Sequence, residues 1–286
     1  NIKYSKYLPM SINILSQTPK IFSGIKKEHF FLNRIIDEYK IDGVISDNRF
    51  GLYTKKVKNV FITHQLDIQS LFFSKIINSI NYNYINKYDA CWIVDDPTNN
   101  IAGKLSNPHT LPKNAKYIGT LSRFKNIKKE KKYAFLAIIS GPEPQRTLLE
   151  IQLISSLKKR SEKALIVLGK TEKNESMVDE NITIKSHLRA DELNNAIAES
   201  DLIICRSGYS TIMDLIKMQK KAIFIPTPGQ TEQEYLAKIL KEKKLCLYQN
   251  QNKFNLDKAI EKSKKYSGLQ QLKNYTTNWQ ELFSLF

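Results

Sequence analysis

The residues best suited to chemistry in this sequence lie in the short stretch "CRSGYSTIMDL", from Cys205 to Leu215. An apolar run that predicts a buried strand ends at the cysteine, and a helix is predicted to open near Ser210. The turn and helix start supply Ser207, Gly208, Ser210 and Thr211. Open N–H groups, the positive end of a helix dipole and a glycine that permits close approach would together bind an anion, and phosphate is the obvious one. The alternative is that Ser210 or Thr211 only caps the helix.

Polar side chains near this turn suit a ligand that carries sugar hydroxyls beside its phosphate. Asp214 lies one turn into the helix, where its carboxylate can accept hydrogen bonds from hydroxyls, and Arg206 immediately precedes the turn. The next predicted strand leads into "PTPGQTEQEY", which supplies amide, hydroxyl and carboxylate groups at Gln230, Thr231, Gln233 and Glu234. Phosphate donors beside carboxylates and amides favour a nucleotide ligand.

A third predicted strand ends in "IISGPEPQRT" and offers another set of groups. Gly141 lies at the turn, and Arg146 lies where the next helix is predicted to begin. The guanidinium of Arg146 could pair with a phosphate. Ligands of open parallel sheets bind outside the carboxyl ends of the strands, which is where all three loops are expected.

The elements that must position these loops follow an α/β pattern, in which short apolar runs with polar ends alternate with helical segments. The first half contains "DGVIS", "NVFIT" and "ACWIV", with a helix predicted from Ser70 to Lys87. The second half contains six strand-like runs and predicts one doubly wound parallel sheet: "YAFLAIIS", "KALIVLG", "NITIKS", "DLIIC", "KAIFIP" and "LCLY".

The charged stretch "SRFKNIKKEKK" interrupts this alternation and predicts a domain boundary. We expect an acceptor-side, Rossmann-like domain over residues 1–124 and a donor-binding domain over residues 125–274. Only about three strands precede the boundary, which predicts that the first domain is incomplete and that the chain begins inside it. We expect residues 275–286 to form an amphipathic helix that packs back towards the first domain and buries four apolar residues: Trp279, Leu282, Phe283 and Phe286.

Composition narrows the classes of function. The chain has 286 residues and a formal net charge of +17, but most of its 45 basic residues are lysines, whereas planar recognition of bases favours arginine. We therefore expect no nucleic-acid partner, and lysine runs such as "KNIKKEKK" suggest contact with an anionic membrane. Three scattered cysteines predict no disulfide framework and favour a cytoplasmic location.

"CRSGYSTIMDL" together with "PTPGQTEQEYLA" resembles the donor-nucleotide signature of GT-B glycosyltransferases of family 28. The resemblance implies two Rossmann-like domains facing each other across a cleft. It places Asp214 at the acidic ribose-binding position, where the family usually has Glu. It also assigns Ser207 and Gly208 to the turn, Thr211 to the helix start, Gln233 and Glu234 to the donor sugar, and the backbone near Arg189 and Ala190 to the base. "ISGPEPQRT" matches a family loop through Gly141 and Arg146, with Pro142 at a position where Ser is expected.

The first half resembles the family more loosely. "VFITHQL" is similar to a segment of the acceptor domain through His64 and Gln65, and "ISDNRFGLY" provides Asp47, Asn48 and Arg49 at a strand end. Family members open with a glycine-rich loop that carries a histidine, and this sequence has no such loop. Asp47 and His64 are therefore the candidates for the catalytic base, with Asn48, Arg49 and Gln65 on the acceptor side. His64 could equally be a structural residue at a strand end, and Asp47 a turn residue.

The resemblance implies an inverting, metal-independent transfer of a sugar from a nucleotide sugar, with uridine favoured, to a glycan or a lipid-linked acceptor. No cofactor is expected besides this co-substrate, and "DD" at Asp95 and Asp96 is interpreted as a turn. A nucleotide-sugar hydrolase or 2-epimerase would need a different set of groups in the same fold. The missing loop also fits a non-catalytic protein that binds a sugar nucleotide or a polysaccharide.

Overall fold

The computed structural model describes residues 18–68, 74–272 and 277–286. They form two compact units. The first unit comprises the described residues up to Gly119 together with the C-terminal residues 277–286, and the second comprises the described residues between Thr120 and Asn274. The predicted limits at residues 124 and 274 stay a prediction. None of the helices in the described ranges is long and apolar enough to cross a membrane.

The first unit is built on a four-stranded parallel sheet in the order β1-β2-β3-β4. Its elements are α1 (Thr18–Tyr39), β1 (Gly43–Asp47), β2 (Lys58–Thr63), α2 (Ser74–Ile85), β3 (Ala90–Ile93), a 3₁₀ turn (Gly103–Leu105) and β4 (Ala115–Tyr117). The sequence predicted three of these strands. The fourth has only three residues, none of them fully buried, so it carries no apolar run. The part of the predicted helix Ser70–Lys87 that precedes Ser74 lies outside the described residues.

The second unit is built on a seven-stranded sheet in the order β11-β10-β9-β5-β6-β8-β7. Its strands are β5 (Tyr133–Ile138), β6 (Ala164–Val167), β7 (Ser176–Asp179), β8 (Ile182–Lys185), β9 (Ser200–Cys205), β10 (Lys221–Phe224) and β11 (Leu247–Tyr248). Its helices are α3 (Gln145–Leu157), α4 (Ala190–Ala198), α5 (Tyr209–Lys217), α6 (Thr231–Glu242) and α7 (Leu256–Ser263). Two 3₁₀ turns, Gln251–Lys253 and Leu269–Gln271, complete the unit.

The prediction of a wholly parallel sheet is wrong at one edge, where β7 runs antiparallel to β8. Only Glu180 and Asn181 separate the two strands, and Glu180 has a φ of 55°. A two-residue connection can join only antiparallel neighbours, because a parallel pair needs a long crossover. Met177 and Val178 on β7 are exposed, so the strand lacks the buried apolar run by which the other strands were predicted.

The core of the second unit explains the parallel strands. Every residue of β6 is buried, and β5 lies between β6 and β9 in the middle of the sheet. Side chains from α3 and α7 pack against the central strands in one cluster that includes Leu149, Leu153 and Ala259. Strands covered on both faces read as continuous apolar runs, which is the pattern that the sequence showed.

The C-terminal segment forms the short helix α8 (Trp279–Phe283) and packs within the first unit. Thr277 Oγ1 donates a 2.6 Å hydrogen bond to the Ile118 carbonyl. The expectation that four apolar side chains would be buried is wrong, because only Leu282 is (4% exposed). The three aromatic side chains remain 44–49% exposed: Trp279, Phe283 and Phe286. A helix of five residues turns too little to bury more than one narrow face.

Candidate functional site

Three of the predicted segments meet at the carboxyl edge of the second sheet. β10, β9 and β5 are neighbours in the sheet and run parallel to one another. Their C-terminal ends therefore deliver the loop with Gly141, the turn with Ser207 and Gly208, and the loop that leads to Gln230 to one place. Ligands of open parallel sheets bind at such an edge.

Arg206 holds these three loops together. Its side chain is 1% exposed, and its guanidinium donates to the carbonyls of Ser140 (3.3 Å), Gln145 (3.0 Å), Ile225 (2.9 Å) and Pro226 (3.2 Å). Burial lowers the pKa of Arg206 to about 10, so the group stays charged at neutral pH. The sequence proposed Arg206 for phosphate binding, whereas its hydrogen bonds run to the protein backbone. A buried arginine between two strand ends is a role that sequence spacing alone does not reveal.

The turn after β9 leaves the start of helix α5 uncapped by side chains. Gly208, which has no side chain, is the N-cap residue, with φ −70° and ψ 143°, so the cap residue itself makes no side-chain hydrogen bond to the first turn. The alternative in which Ser210 or Thr211 caps the helix therefore does not hold. The first intrahelical bond runs from Ile212 N to Gly208 O (3.0 Å), so the N–H groups of Ser210 and Thr211 precede the hydrogen-bonded part of the helix. Ser210 is exposed and Thr211 partly so.

Ser207 and Gln233 link the turn to helix α6. Ser207 is completely buried, and its hydroxyl donates to the Gln233 carbonyl (2.8 Å). The side-chain oxygen of Gln233 accepts from Thr227 N (2.9 Å), which leaves its NH₂ group as the part that can face a ligand. Glu234 is exposed, and one of its carboxylate oxygens accepts from Gly229 N (3.0 Å). Gln230 and Thr231 lie at the start of α6, where Gln230 is the N-cap residue.

Asp214 has a half-buried carboxylate that a distant serine orients. Ser122 Oγ donates to Asp214 Oδ1 (2.6 Å), and Ser122 Oγ itself accepts from Phe124 N (3.0 Å). Burial raises the pKa of Asp214 above its ordinary value, and the hydrogen bond from Ser122 and the charge of Arg123 partly oppose this. The sequence missed Ser122, because it lies 92 residues away in the charged stretch that was predicted to be a domain boundary.

Arg146 and Gly141 lie at the end of β5. The Arg146 guanidinium donates to Glu143 Oε1 (2.8 and 2.6 Å) and to the Gly169 carbonyl (3.2 Å). The bonds from Arg146 lower the pKa of Glu143. A phosphate would therefore have to compete with Glu143 for Arg146. Gly141 has a φ of 108°, where a residue with a Cβ is strained, and a Cβ there would lie 3.4 Å from Thr227 Oγ1.

Arg189 and Ala190 lie further along the same edge. They start helix α4, after β8, which stands three strands away from β9. At about 4.8 Å per strand, the C-terminal ends of β8 and β9 are roughly 14 Å apart. The Arg189 side chain is 75% exposed, and its backbone N–H donates to Glu192 Oε2 (2.8 Å).

The predicted acceptor-side residues share one edge of the first sheet. β1 and β2 are parallel neighbours, with Asp47 opposite Ile62, so Asp47 and His64 both lie at carboxyl ends. Asp47 and Asn48 are exposed, and Asn48 has a φ of 53°. The Arg49 guanidinium is paired with Glu28 (2.5 Å).

Two further residues near this edge are held by the local backbone. Gln65 N donates to Thr63 Oγ1 (2.9 Å), and the Gln65 carbonyl accepts from Asn81 Nδ2 (2.9 Å). The Asp95 carboxylate is completely buried and accepts from the N–H groups of Asp96, Ile101 and Ala102, which fits the predicted turn. Within the described residues, no group of three or more His, Cys, Asp or Glu side chains could hold a metal ion.

Comparisons with known proteins agree with this geometry. The family model for the glycosyltransferase family 28 C-terminal domain matches residues 137–280. A 92-residue segment is 34% identical to the UDP-N-acetylglucosamine--N-acetylmuramyl-(pentapeptide) pyrophosphoryl-undecaprenol N-acetylglucosamine transferase of Campylobacter jejuni (strain RM1221). That segment covers 32% of this chain and 26% of the relative, so the match spans about a quarter of the relative's length.

Solved structures show the same fold at low sequence identity. MurG from Acinetobacter baumannii covers 91% of this chain, with 78% of its own chain covered, a TM-score of 0.56 and 16% identity. The glycotransferase of kitacinnamycin gives a TM-score of 0.62 at 11% identity, with 94% of this chain and 81% of that chain covered. The spinosyn rhamnosyltransferase SpnG complexed with thymidine diphosphate gives 0.58 at 11% identity, with 88% and 74% covered. The chain has the GT-B fold and belongs to glycosyltransferase family 28, as its two motifs predicted.

Proposed function

We propose that the chain transfers a sugar from a UDP-linked donor to a hydroxyl group of a glycan or lipid-linked acceptor, with inversion and without a metal ion. One observation carries the donor half of this proposal. The uncapped start of helix α5 and the half-buried Asp214 carboxylate lie one helical turn apart at the carboxyl edge of the second sheet. The first group suits a diphosphate and the second suits the ribose hydroxyls.

The proposed roles combine what the family resemblance implies with the contacts of each side chain. The N–H groups near Gly208 and Thr211, with the Ser210 hydroxyl, hold the diphosphate and stabilise the negative charge that grows on it as it leaves. Gln233 NH₂, Gln230, Thr231 and Glu234 contact the donor sugar, and the backbone near Arg189 and Ala190 contacts the base. Arg206 acts as a positioning residue, because its hydrogen bonds fix the loops. Ser207 likewise ties the turn to α6.

The acceptor half of the proposal rests on the first unit. Asp47 or His64 takes the proton of the attacking hydroxyl, and the acceptor oxygen then bonds to the anomeric carbon as the bond to the nucleotide breaks. Supporting contacts to the acceptor are proposed for Asn48, Arg49 and Gln65. Supporting contacts to the donor are proposed for Gly141 and Arg146. The three cysteines are unpaired and buried, and the formal net charge is +17, which supports a cytoplasmic location with peripheral contact to an anionic membrane.

Calorimetric titration of the chain with UDP, and with TDP, GDP, CMP and CDP in parallel, tests the donor site. We expect UDP to bind most tightly and Asp214→Asn to weaken it about 10- to 100-fold, as loss of hydrogen bonds to a charged group predicts. Asn keeps an oxygen for the Ser122 hydroxyl, so the variant should fold. Asp257→Asn, a change at a carboxylate that is 78% exposed, is the matched control and should bind UDP normally. A folded Asp214→Asn variant with unchanged UDP affinity contradicts the assignment.

Product analysis separates transfer from its rivals. A nucleotide-sugar hydrolase would release free sugar and nucleotide without an acceptor, and a 2-epimerase would return an altered donor. A binding protein would leave the nucleotide sugar intact with every acceptor tested. Glycoside formation that depends on the acceptor and is lost in Asp214→Asn would support the transferase.

A further inference from the structure

The first unit contains a cavity of about 460 Å³ that the proposed function does not use. Ile25, Lys26 and Phe30 of helix α1 form one side, and Tyr53, from the connection between β1 and β2, forms another. Tyr84, in the last turn of helix α2, and Lys87, two residues after the helix, complete the opposite wall. The volume falls within the range of roughly 300–1,000 Å³ that is usual for small-molecule sites.

Stacked aromatic rings fix the Lys87 ammonium group in this cavity. Lys87 Nζ lies 4.5 Å from the centre of the Tyr53 ring and 4.6 Å from that of Tyr84. The His29 ring stacks on Tyr53 at 4.1 Å, and Phe50 stacks on Tyr84 at 5.1 Å. Cation–π attraction therefore holds the charge of Lys87 against a rigid aromatic wall, and a pre-placed charge loses little freedom when a ligand binds.

The hydrogen bonds of His29 engage both of its ring nitrogens. His29 Nδ1 lies 2.9 Å from the Tyr53 carbonyl, which can only accept, so this nitrogen carries the proton. His29 Nε2 lies 3.3 Å from Asn33 Nδ2, so both ring nitrogens have a partner. None of the residues that line the cavity is acidic, and Glu28 on the same helix is paired with Arg49.

Apolar side chains lie beside the two charges. Phe30 lines the cavity although its side chain is 75% exposed, and Phe22 is 38% exposed. Phe22, Lys26 and Phe30 are spaced four residues apart on α1, so they share one face of the helix. The two lysines, Lys26 and Lys87, thus lie beside apolar side chains on one face of α1.

We propose that this cavity binds an amphiphilic phosphate monoester, with the phosphate held by Lys26 and Lys87 and the apolar chain lying along Ile25, Phe30 and Phe22. A phosphate monoester carries about −1.5 to −2 charges at pH 7, which matches two ammonium groups. The proposal does not depend on the donor site, because every residue that it uses lies in the first unit.

Titration of the full chain with monomeric decyl phosphate tests this site. Inorganic phosphate, which lacks the apolar chain, and decyl glucoside, which lacks the charge, are the comparison ligands. We expect decyl phosphate to bind more tightly than either. Lys26→Gln and Lys87→Gln should each weaken its binding about tenfold, as loss of one charge-assisted contact predicts. Lys87→Arg should restore binding, because arginine keeps the charge and the cation–π contacts. Lys27→Gln, on the same helix but outside the cavity, is the matched control.

Vesicles of phosphatidylcholine with and without phosphatidic acid distinguish two sources of the same chemistry. Binding to the phosphatidic acid vesicles that is lost in Lys87→Gln would identify a membrane lipid as the ligand. Binding of decyl phosphate alone would identify a soluble amphiphile. Failure to bind either phosphate, equal binding of decyl glucoside, or equal losses in Lys27→Gln and Lys87→Gln would overturn the proposal. Thermal melting of each variant shows that the fold is intact.

Discussion

Arg206→Met removes the guanidinium group whose four hydrogen bonds join three loops of the second unit. Methionine can fill much of the same buried space, but it donates no hydrogen bond. Two of the four lost bonds are short, at 2.9 and 3.0 Å, and two are long, at 3.2 and 3.3 Å. Hydrogen bonds to a charged group contribute about 1.5–3 kcal/mol each at normal distances, so we assign about 2 kcal/mol to each short bond. Longer bonds are weaker, and we assign about 0.5 kcal/mol to each of them, which gives about 5 kcal/mol in all.

The buried charge of Arg206 opposes this stabilisation. No carboxylate among the described residues accepts a hydrogen bond from its guanidinium, and removing a buried charge recovers on the order of 2 kcal/mol of desolvation free energy. We therefore expect Arg206→Met to lower the free energy of unfolding by about 3 kcal/mol and Tm by about 9 °C. Arg206→Lys should lose about 2 kcal/mol, because one ammonium group cannot reach carbonyls in several directions.

Urea unfolding and thermal melting measure these changes, and UDP titration of the folded variants measures their effect on the site. Arg34→Met, which removes an arginine that only covers the Phe31 ring, is the control and should change stability by less than about 0.5 kcal/mol. If Arg206→Met were as stable as Arg34→Met and bound UDP normally, the inference that Arg206 positions the loops would be refuted.

Two further predictions concern stability. Lys220 Nζ donates to the Ala198 carbonyl (3.0 Å), and burial, followed by the nearby Lys131, lowers the Lys220 pKa to about 7. Between pH 7 and 10 the unfolded chain binds a proton at Lys220 that the folded chain does not. The free energy of unfolding of the wild type should therefore increase with pH relative to that of Lys220→Met. Urea unfolding of both proteins between pH 7 and 10 measures this trend. The exposed Lys258→Met is the control, and its difference from wild type should not change with pH. A pH-independent difference for Lys220→Met would contradict the prediction. Gly141→Ala should lower the free energy of unfolding by about 1–2 kcal/mol, because the φ of Gly141 is 108°. Gly24→Ala in helix α1 should raise it by up to about 1 kcal/mol, because a Cβ there would have no atom within 4 Å. Thermal melting measures both changes.

Much of the fold could be predicted from the sequence because parallel strands that are buried on both faces read as apolar runs. Nine strands were predicted in this way, and all nine are present among the described residues. The two that were missed, β4 and β7, lack a buried face that would impose a pattern on their residues. The family could also be recognised from the sequence, because the turn after β9 and the loop before α6 are each a continuous segment whose residue order can be read directly.

The sequence by itself determined the α/β class and which loops follow which strands, because both depend on the local order of residue types. Only the tertiary structure decided which groups these polar side chains contact. Arg206 bonds to carbonyls of the two neighbouring loops, and Ser122 reaches Asp214 across 92 residues. The cavity beside Lys87 likewise joins residues from two helices and a loop. Such contacts depend on how distant segments pack, and no spacing along the chain encodes them.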